Sequence, residues 1–416
     1  MIDLFRSIWS RVRKWSSTVS YFWSHNDPAD CFLLMDTMLL LAGVQSGLNQ
    51  KRTSTLIVRY LSNGLFAFIS IILILQVWSD TQEGWSDVTL KINSLLKITT
   101  IVMSCLKVLM INHFREPAQN LKNFILSQTV TSGFKSTDDL DRRKFNSIAL
   151  RMLRAMFALL IADLILLSFP NQTMDNAFRM PPLLLQHMGK FSLRILCSFF
   201  VCALPLVFVP RYFTHLSCMG ILIMGMRMKL QMLAHRFRRI THLPVVNAKY
   251  NLEQINDELR EILNQHMEYM GCFKMLANMV GTAFLLTHYY SLLNIGALVY
   301  MWHTMGFNGF SMVYLLTFIA LLFEYYIWCR LVDSFQEVAD SIGQLVYEIC
   351  VYMPHNADHH SEYHQLRTSL IIIWINNAKA YTVSCYGLLK VSTLAFVDMV
   401  DITYTVLMFL INMIDH

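Results

Sequence analysis

Charge is scarce in this 416-residue sequence: Asp, Glu, Lys and Arg together make up 15%, where a water-soluble domain carries about a quarter. That deficit argues against a surface wetted on all sides. Gly (15) and Pro (9) are also sparse, which excludes collagen-like and low-complexity classes. No internal repeat is visible. The nine Cys are Cys31, Cys105, Cys197, Cys202, Cys218, Cys272, Cys329, Cys350 and Cys385. None has zinc-type spacing, and no loop holds a pair that would start a disulfide framework. Most lie in apolar runs and read as small buried hydrophobes. No signal peptide is apparent, because residues 1–25 scatter Arg6, Arg11, Arg13 and Lys14 among aromatics. That stretch reads as a cytoplasmic amphipathic segment at the membrane surface.

What the sequence does have is hydrophobic length. Hydrophobic residues make up 55%, with 27 Phe and 26 Met, and the mean hydropathy is +0.42. A bilayer core takes about 20 apolar residues in a helix. Seven segments qualify: Leu61 to Trp78, Val88 to Ile111, Met152 to Phe169, Ile195 to Met226, Met275 to Tyr300, Phe310 to Trp328 and Cys385 to Ile414. Cys31 to Val44 is apolar but short and contains Asp36, so it reads as a re-entrant or interfacial helix. The expected fold is all-α, a polytopic membrane protein of seven spans.

Basic residues orient it. With the N-terminus inside, the segments 1–56, 112–151, 227–274 and 330–384 hold 24 Lys and Arg, and the opposite segments hold 3. Basic residues resist translocation, so the N-terminus is expected in the cytoplasm and the C-terminus outside. The sequon Asn171-Gln172-Thr173 falls in an outer loop on this topology, making Asn171 a glycosylation candidate. The net charge of +6 is then topology. No basic stripe is interleaved with exposed aromatics, and nucleic acid is not an expected partner.

The inner segments carry helical periodicity of their own. Leu259, Ile262, Leu263, His266 and Met270 share one face, as do Phe335, Val338, Ile342, Val346 and Ile349. Tyr363 to Ile375 adds a third helix. The expected organisation is a cytoplasmic segment (1–56), spans one to four (57–226), anchor helices (227–274), spans five and six (275–329), a second anchor segment (330–384) and span seven (385–416). The last stretch carries Asp398, Asp401, Thr405 and Asn412 on one side. Phe396, Val400, Thr403, Leu407 and Leu410 lie on the other. Asp163, Glu324, Lys91 and Lys97 are further charges within spans, with the lysines snorkelling or pairing with Asp163. Met156, Phe157, Phe199, Phe200, Tyr289, Tyr290, Met312, Tyr314 and Phe318 are candidate lining for an apolar ligand cavity.

Two motifs carry little. His355, His359, His360 and His364 have the spacing of one histidine box, but a membrane di-iron enzyme needs several boxes. Asp141-Arg142-Arg143 precedes span three and reads as a basic loop rather than a receptor signature. No catalytic residue, cofactor or metal is expected.

The C-terminal third has a pattern of its own. Phe396 stands eight residues before Tyr404, which Thr403 and Thr405 flank. Upstream lie Ser341 to Tyr347, Tyr352, Arg367 and Ala378. In these positions, over residues 330–413, the chain resembles the insect odorant receptors, specifically an odorant-specific tuning subunit. The resemblance implies a heterotetrameric, ligand-gated, non-selective cation channel in the plasma membrane of olfactory neurons. Its partners would be the co-receptor Orco, a small hydrophobic odorant, membrane lipids and the permeating cations. Odorant would bind among spans two, three, four and six. The last span would line the pore, with Thr403, Leu407 and Leu410 facing it and Asp398 and Asp401 in a wider part or in subunit packing. The co-receptor has Gln where Leu410 stands, so the chain does not resemble the co-receptor itself. A gustatory-type homotetramer would carry Gln-Phe where Leu410 and Ile411 stand. The remaining alternative is a membrane metalloenzyme built on the His cluster.

Overall fold

The computed structural model describes residues 31–45, 53–82, 88–168, 178, 180–181, 189–241, 248–352 and 360–412. Helix α1 (Cys31–Leu41) is followed by α2 (Thr53–Gln82), α3 (Val88–His113), α4 (Arg115–Leu126) and α5 (Lys135–Ser168). Then come α6 (Lys190–Tyr212), α7 (Thr214–Thr241), α8 (Ala248–Thr304), α9 (Ser311–Tyr352) and α10 (His360–Ala380). A two-stranded hairpin of β1 (Ser384–Cys385) and β2 (Leu389–Lys390) leads into α11 (Thr393–Asn412).

Among the described residues, five helical stretches are long and apolar enough to cross a membrane: Thr55–Gln82, Val88–His113, Phe191–Ile240, Gln254–Thr304 and Ser311–Val351. Helices α5 and α11 cover the positions expected of spans three and seven. On α2 the outward residues are Leu61, Ile71, Ile74 and Trp78, an apolar face suited to lipid.

Several helices outrun the bilayer. The 57 residues of α8 reach about 85 Å at 1.5 Å per residue, whereas a hydrocarbon core is about 30 Å thick. The surplus of α8 and α9 packs with α7 and α10 into a second bundle, as the inner periodicities predict. Its centre is aromatic. Phe273 lies 5.4 Å from Phe335 and 5.2 Å from Tyr381, centroid to centroid, and Tyr381 Oη meets His266 Nε2 at 2.8 Å. Burial pushes the Tyr381 phenol above its ordinary pKa.

The Ile195 to Met226 segment is nearly one rod. Pro205 and Pro210 lie within α6, which gives way to α7 at Phe213 (φ −84, ψ 6). Proline withholds an intrahelical donor and pushes on the preceding turn, so the break follows Pro210.

Helix α1, with 11 residues, is too short to span. It is wedged among α2, α5, α6 and α7, and Asp36 pairs with Lys122 of α4 at 3.1 Å. Gly43 (φ +81) ends it, with Val44 N–H donating to Leu39 O and Gly43 N–H to Leu40 O, a Schellman turn. A Cβ there would sit 2.2 Å from Asn63 Oδ1, so glycine is required twice over.

Span seven also starts later than its hydropathy predicts. Residues Ser384 to Lys390 form the hairpin, turning through Tyr386 (φ 52) and Gly387 (φ 75). Its backbone lies where a Cβ on Gly281 of α8 would meet Ser384 O at 2.8 Å. Asp333 of α9 then accepts from the backbone N–H of Thr393 at 2.8 Å and from its hydroxyl, capping α11.

Candidate functional site

A cavity of about 210 Å³ opens among the apolar helices. Its wall comes from α3 (Asn93, Lys97, Thr100), α5 (Leu159, Asp163), α6 (Leu204, Phe208, Tyr212), α8 (Tyr290, Asn294) and α9 (Tyr314, Thr317), with Leu73 of α2 at the edge. Apolar side chains dominate, and a few polar groups converge on them, as small-molecule sites require. An apolar hole of about 150 Å³ already accepts benzene, so a substituted ring fits.

Aromatic edges brace one side. Phe178 lies 5.4 Å from Phe310, and Phe310 lies 5.3 Å from Tyr314, both edge to face. Tyr314 donates its hydroxyl hydrogen to Asn93 Oδ1 at 3.2 Å. Thr99 donates to Asn294 Oδ1 at 2.6 Å, which ties α3 to α8 beside the cavity.

Beneath the cavity lies a buried ion pair. Lys107 of α3 and Glu324 of α9 meet at 2.8 Å, both with no exposed side-chain surface. Lys107 also donates to Tyr212 O at 2.8 Å and lies 3.9 Å from the Tyr212 ring centroid. A charge in apolar surroundings persists only with such a set of partners. The next residue, Tyr325, contacts His288 Nδ1 at 2.7 Å and donates to Ala395 O of α11 at 3.4 Å. Tyr326 places its ring 5.5 Å from Phe396. A connected set of contacts therefore runs from the cavity floor to the last helix.

Of the lining candidates from the sequence, Tyr290 and Tyr314 reach this wall. Met156 is buried in the main core, and Phe157 and Phe318 pack against it. Phe200 is buried in a second cluster, 5.9 Å from Phe178. Phe199 points outward, 51% exposed. The expected pairing of the intramembrane lysines with Asp163 gives way to different partners. Lys97 stands 3.7 Å from Asp80, Lys107 takes Glu324, and Asp163 Oδ1 is buried without a hydrogen bond.

Helix α11 leans on α8 and α9 through a stripe four residues apart. Ala395, Met399 and Thr403 are buried, and Leu407 packs on the same core. Thr403 is 8% exposed and donates to Met399 O at 2.8 Å. This departs from the expectation that Thr403 and Leu407 face away from their own subunit. The uncovered face carries Asp398 and Asp401, with Val397, Tyr404, Thr405 and Met408 around them. The side chain of Leu410 and residue Asn171 lie outside the described residues, as do His355 and His359. Among the described residues no cluster of three metal-ligating side chains occurs. His360 and His364 pack ring to ring, 6.1 Å apart, on exposed α10.

No protein-family description and no curated protein sequence matches the chain. Its fold does match solved structures. The insect olfactory receptor OR5 from Machilis hrabei superposes with a TM-score of 0.64 at 10% identity, over 96% of this chain and 98% of that one. The same receptor in complex with eugenol superposes with a TM-score of 0.65 at 11% identity, over 92% and 100%. Over nearly its whole length, then, this all-α membrane chain has the fold of an insect olfactory receptor.

Proposed function

We propose that this chain is the odorant-binding subunit of a ligand-gated, non-selective cation channel, assembled as a heterotetramer with the co-receptor Orco in the plasma membrane of olfactory neurons. The observation that carries the reading is the apolar cavity of about 210 Å³ enclosed by the spanning helices, in a fold shared with an olfactory receptor solved with eugenol. The chain is read as a receptor, not an enzyme.

A small hydrophobic volatile enters the cavity and favours whichever helix arrangement it fills better, which shifts a closed-to-open equilibrium by that difference in affinity. The contacts from Tyr212 through Lys107, Glu324 and Tyr325 to α11 give the shift a route to the pore helix. Helix α11 lines a central pore with its uncovered face. There Asp398 and Asp401 favour cations, as acidic rings do. Leu407 sits at the edge of the packed seam, where a small rotation of α11 moves it in or out of the pore. The skew of 24 Lys and Arg against 3 supports a cytoplasmic N-terminus and an external C-terminus.

Expression with Orco in a cell line, with currents recorded under an odorant panel, tests this. The expected result is odorant-evoked cation current that Thr317→Trp abolishes by filling the cavity, with surface delivery unchanged. Surface-delivered complexes that stay silent to every odorant would refute the channel reading.

A further inference from the structure

The cavity wall holds two charged side chains, Lys97 and Asp163, and they are not equivalent. Lys97 has a carboxylate 3.7 Å away in Asp80, which also accepts from Ser94 at 3.0 Å. Asp163, on α5, has no such partner. Its Oδ1 is closed to solvent and takes no hydrogen bond, and no ion pair of 4 Å or less reaches it among the described residues. The ion pair under the floor, Lys107 with Glu324, is balanced within itself.

A carboxyl group without a partner among apolar helices costs free energy. A partner carried in by the ligand recovers it. The rest of the wall fits the same ligand, because Phe208, Tyr212, Tyr290, Phe310 and Tyr314 offer aromatic faces and edges, and ring faces attract ammonium groups. We infer that the cavity is selective for small amines with an apolar body, the amino group donating to the Asp163 carboxylate and the body lying among the aromatics. The amine enters either neutral, taking the proton of a protonated Asp163, or already protonated, meeting the Asp163 carboxylate; the product in both cases is the same charge-assisted hydrogen bond. A hydrocarbon of equal size fills the space but leaves the Asp163 carboxyl group unpaired.

The assignment rests on the cavity being the odorant site proposed above, and the two are separable by experiment. The purified full-length chain in lipid nanodiscs is titrated with 2-phenylethylamine and with propylbenzene. The amine is expected to bind about 10- to 100-fold more tightly, the range of a hydrogen bond to a charged group. Asp163→Asn is expected to remove most of that advantage and to leave propylbenzene binding unchanged. Equal affinities in the unaltered chain overturn the assignment, as does an Asp163→Asn effect that is the same for both ligands. The comparison within the unaltered chain decides the matter even where the variant fails to fold. Recording currents from complexes with Orco adds the separating arm: preferential amine binding without any ligand-evoked current upholds the cavity chemistry and refutes the channel.

Discussion

The two ends of α8 and α9 are built from the same helices yet packed to opposite purposes. At the anchor end, Leu259, Ile262, Tyr269 and Phe273 of α8 and Phe335, Ala339 and Ile342 of α9 are buried against their neighbours. At the cavity end, Tyr290 and Asn294 of α8 face Tyr314 and Thr317 of α9 across open space. Close packing is the default of a protein interior, so a void kept open among apolar helices is a feature to be filled. The anchor end holds geometry constant. The cavity end leaves space between the same helices. Between them sits Lys107–Glu324, which fixes the height at which packing gives way to space.

The sharpest way to break that comparison is to unbalance the boundary. Glu324→Ala leaves Lys107 buried and unpaired, an expected loss of about 3–5 kcal/mol, read as lost thermal stability and poor surface delivery. Lys107→Met combined with Glu324→Leu should restore delivery, because neither charge then remains. Equal damage from the single and double variants would show that the pair has no separate role.

Truncations at the two ends should differ next. Phe273→Ala opens a hole in a filled bundle and should cost about 3–5 kcal/mol. Phe208→Ala enlarges a space that already exists, so it should cost less than half as much and admit bulkier ligands. Similar melting-temperature losses for both would erase the distinction between the ends.

The smallest effect concerns the link to the last helix. Asp333→Ala removes the cap on α11 and should cost about 0.5–2 kcal/mol, below the level that blocks delivery. In complexes with Orco it should raise ligand-independent current, since α11 is then held less firmly in its resting place. An unchanged baseline would detach the cap from gating.

Much of the fold was legible because it is local. Runs such as Val88 to Ile111 need no knowledge of their neighbours to be read as helices, and the periodicity of Phe335 through Ile349 places the anchor end of α9. The cavity was less legible. Membrane helices are apolar nearly all round, so periodicity gives little sign of which way each is turned. Tyr314 was found, whereas Phe199, equally aromatic, turns outward. Asp163 was visible as an intramembrane charge, but its lack of a partner depended on where Lys97 found one. On α11, packing covers Thr403 and leaves Val400, of the same expected side, exposed.

Hydrophobic length, the skew of basic residues and the inner periodicities were determined by the sequence alone, because each depends on residues near one another along the chain or on the cost of moving charge through lipid. The cavity, the Lys107–Glu324 pair and the uncovered face of α11 were decided only by the tertiary structure. Each depends on the rotation of one helix against another, which is set by side chains distant in the sequence meeting in three dimensions.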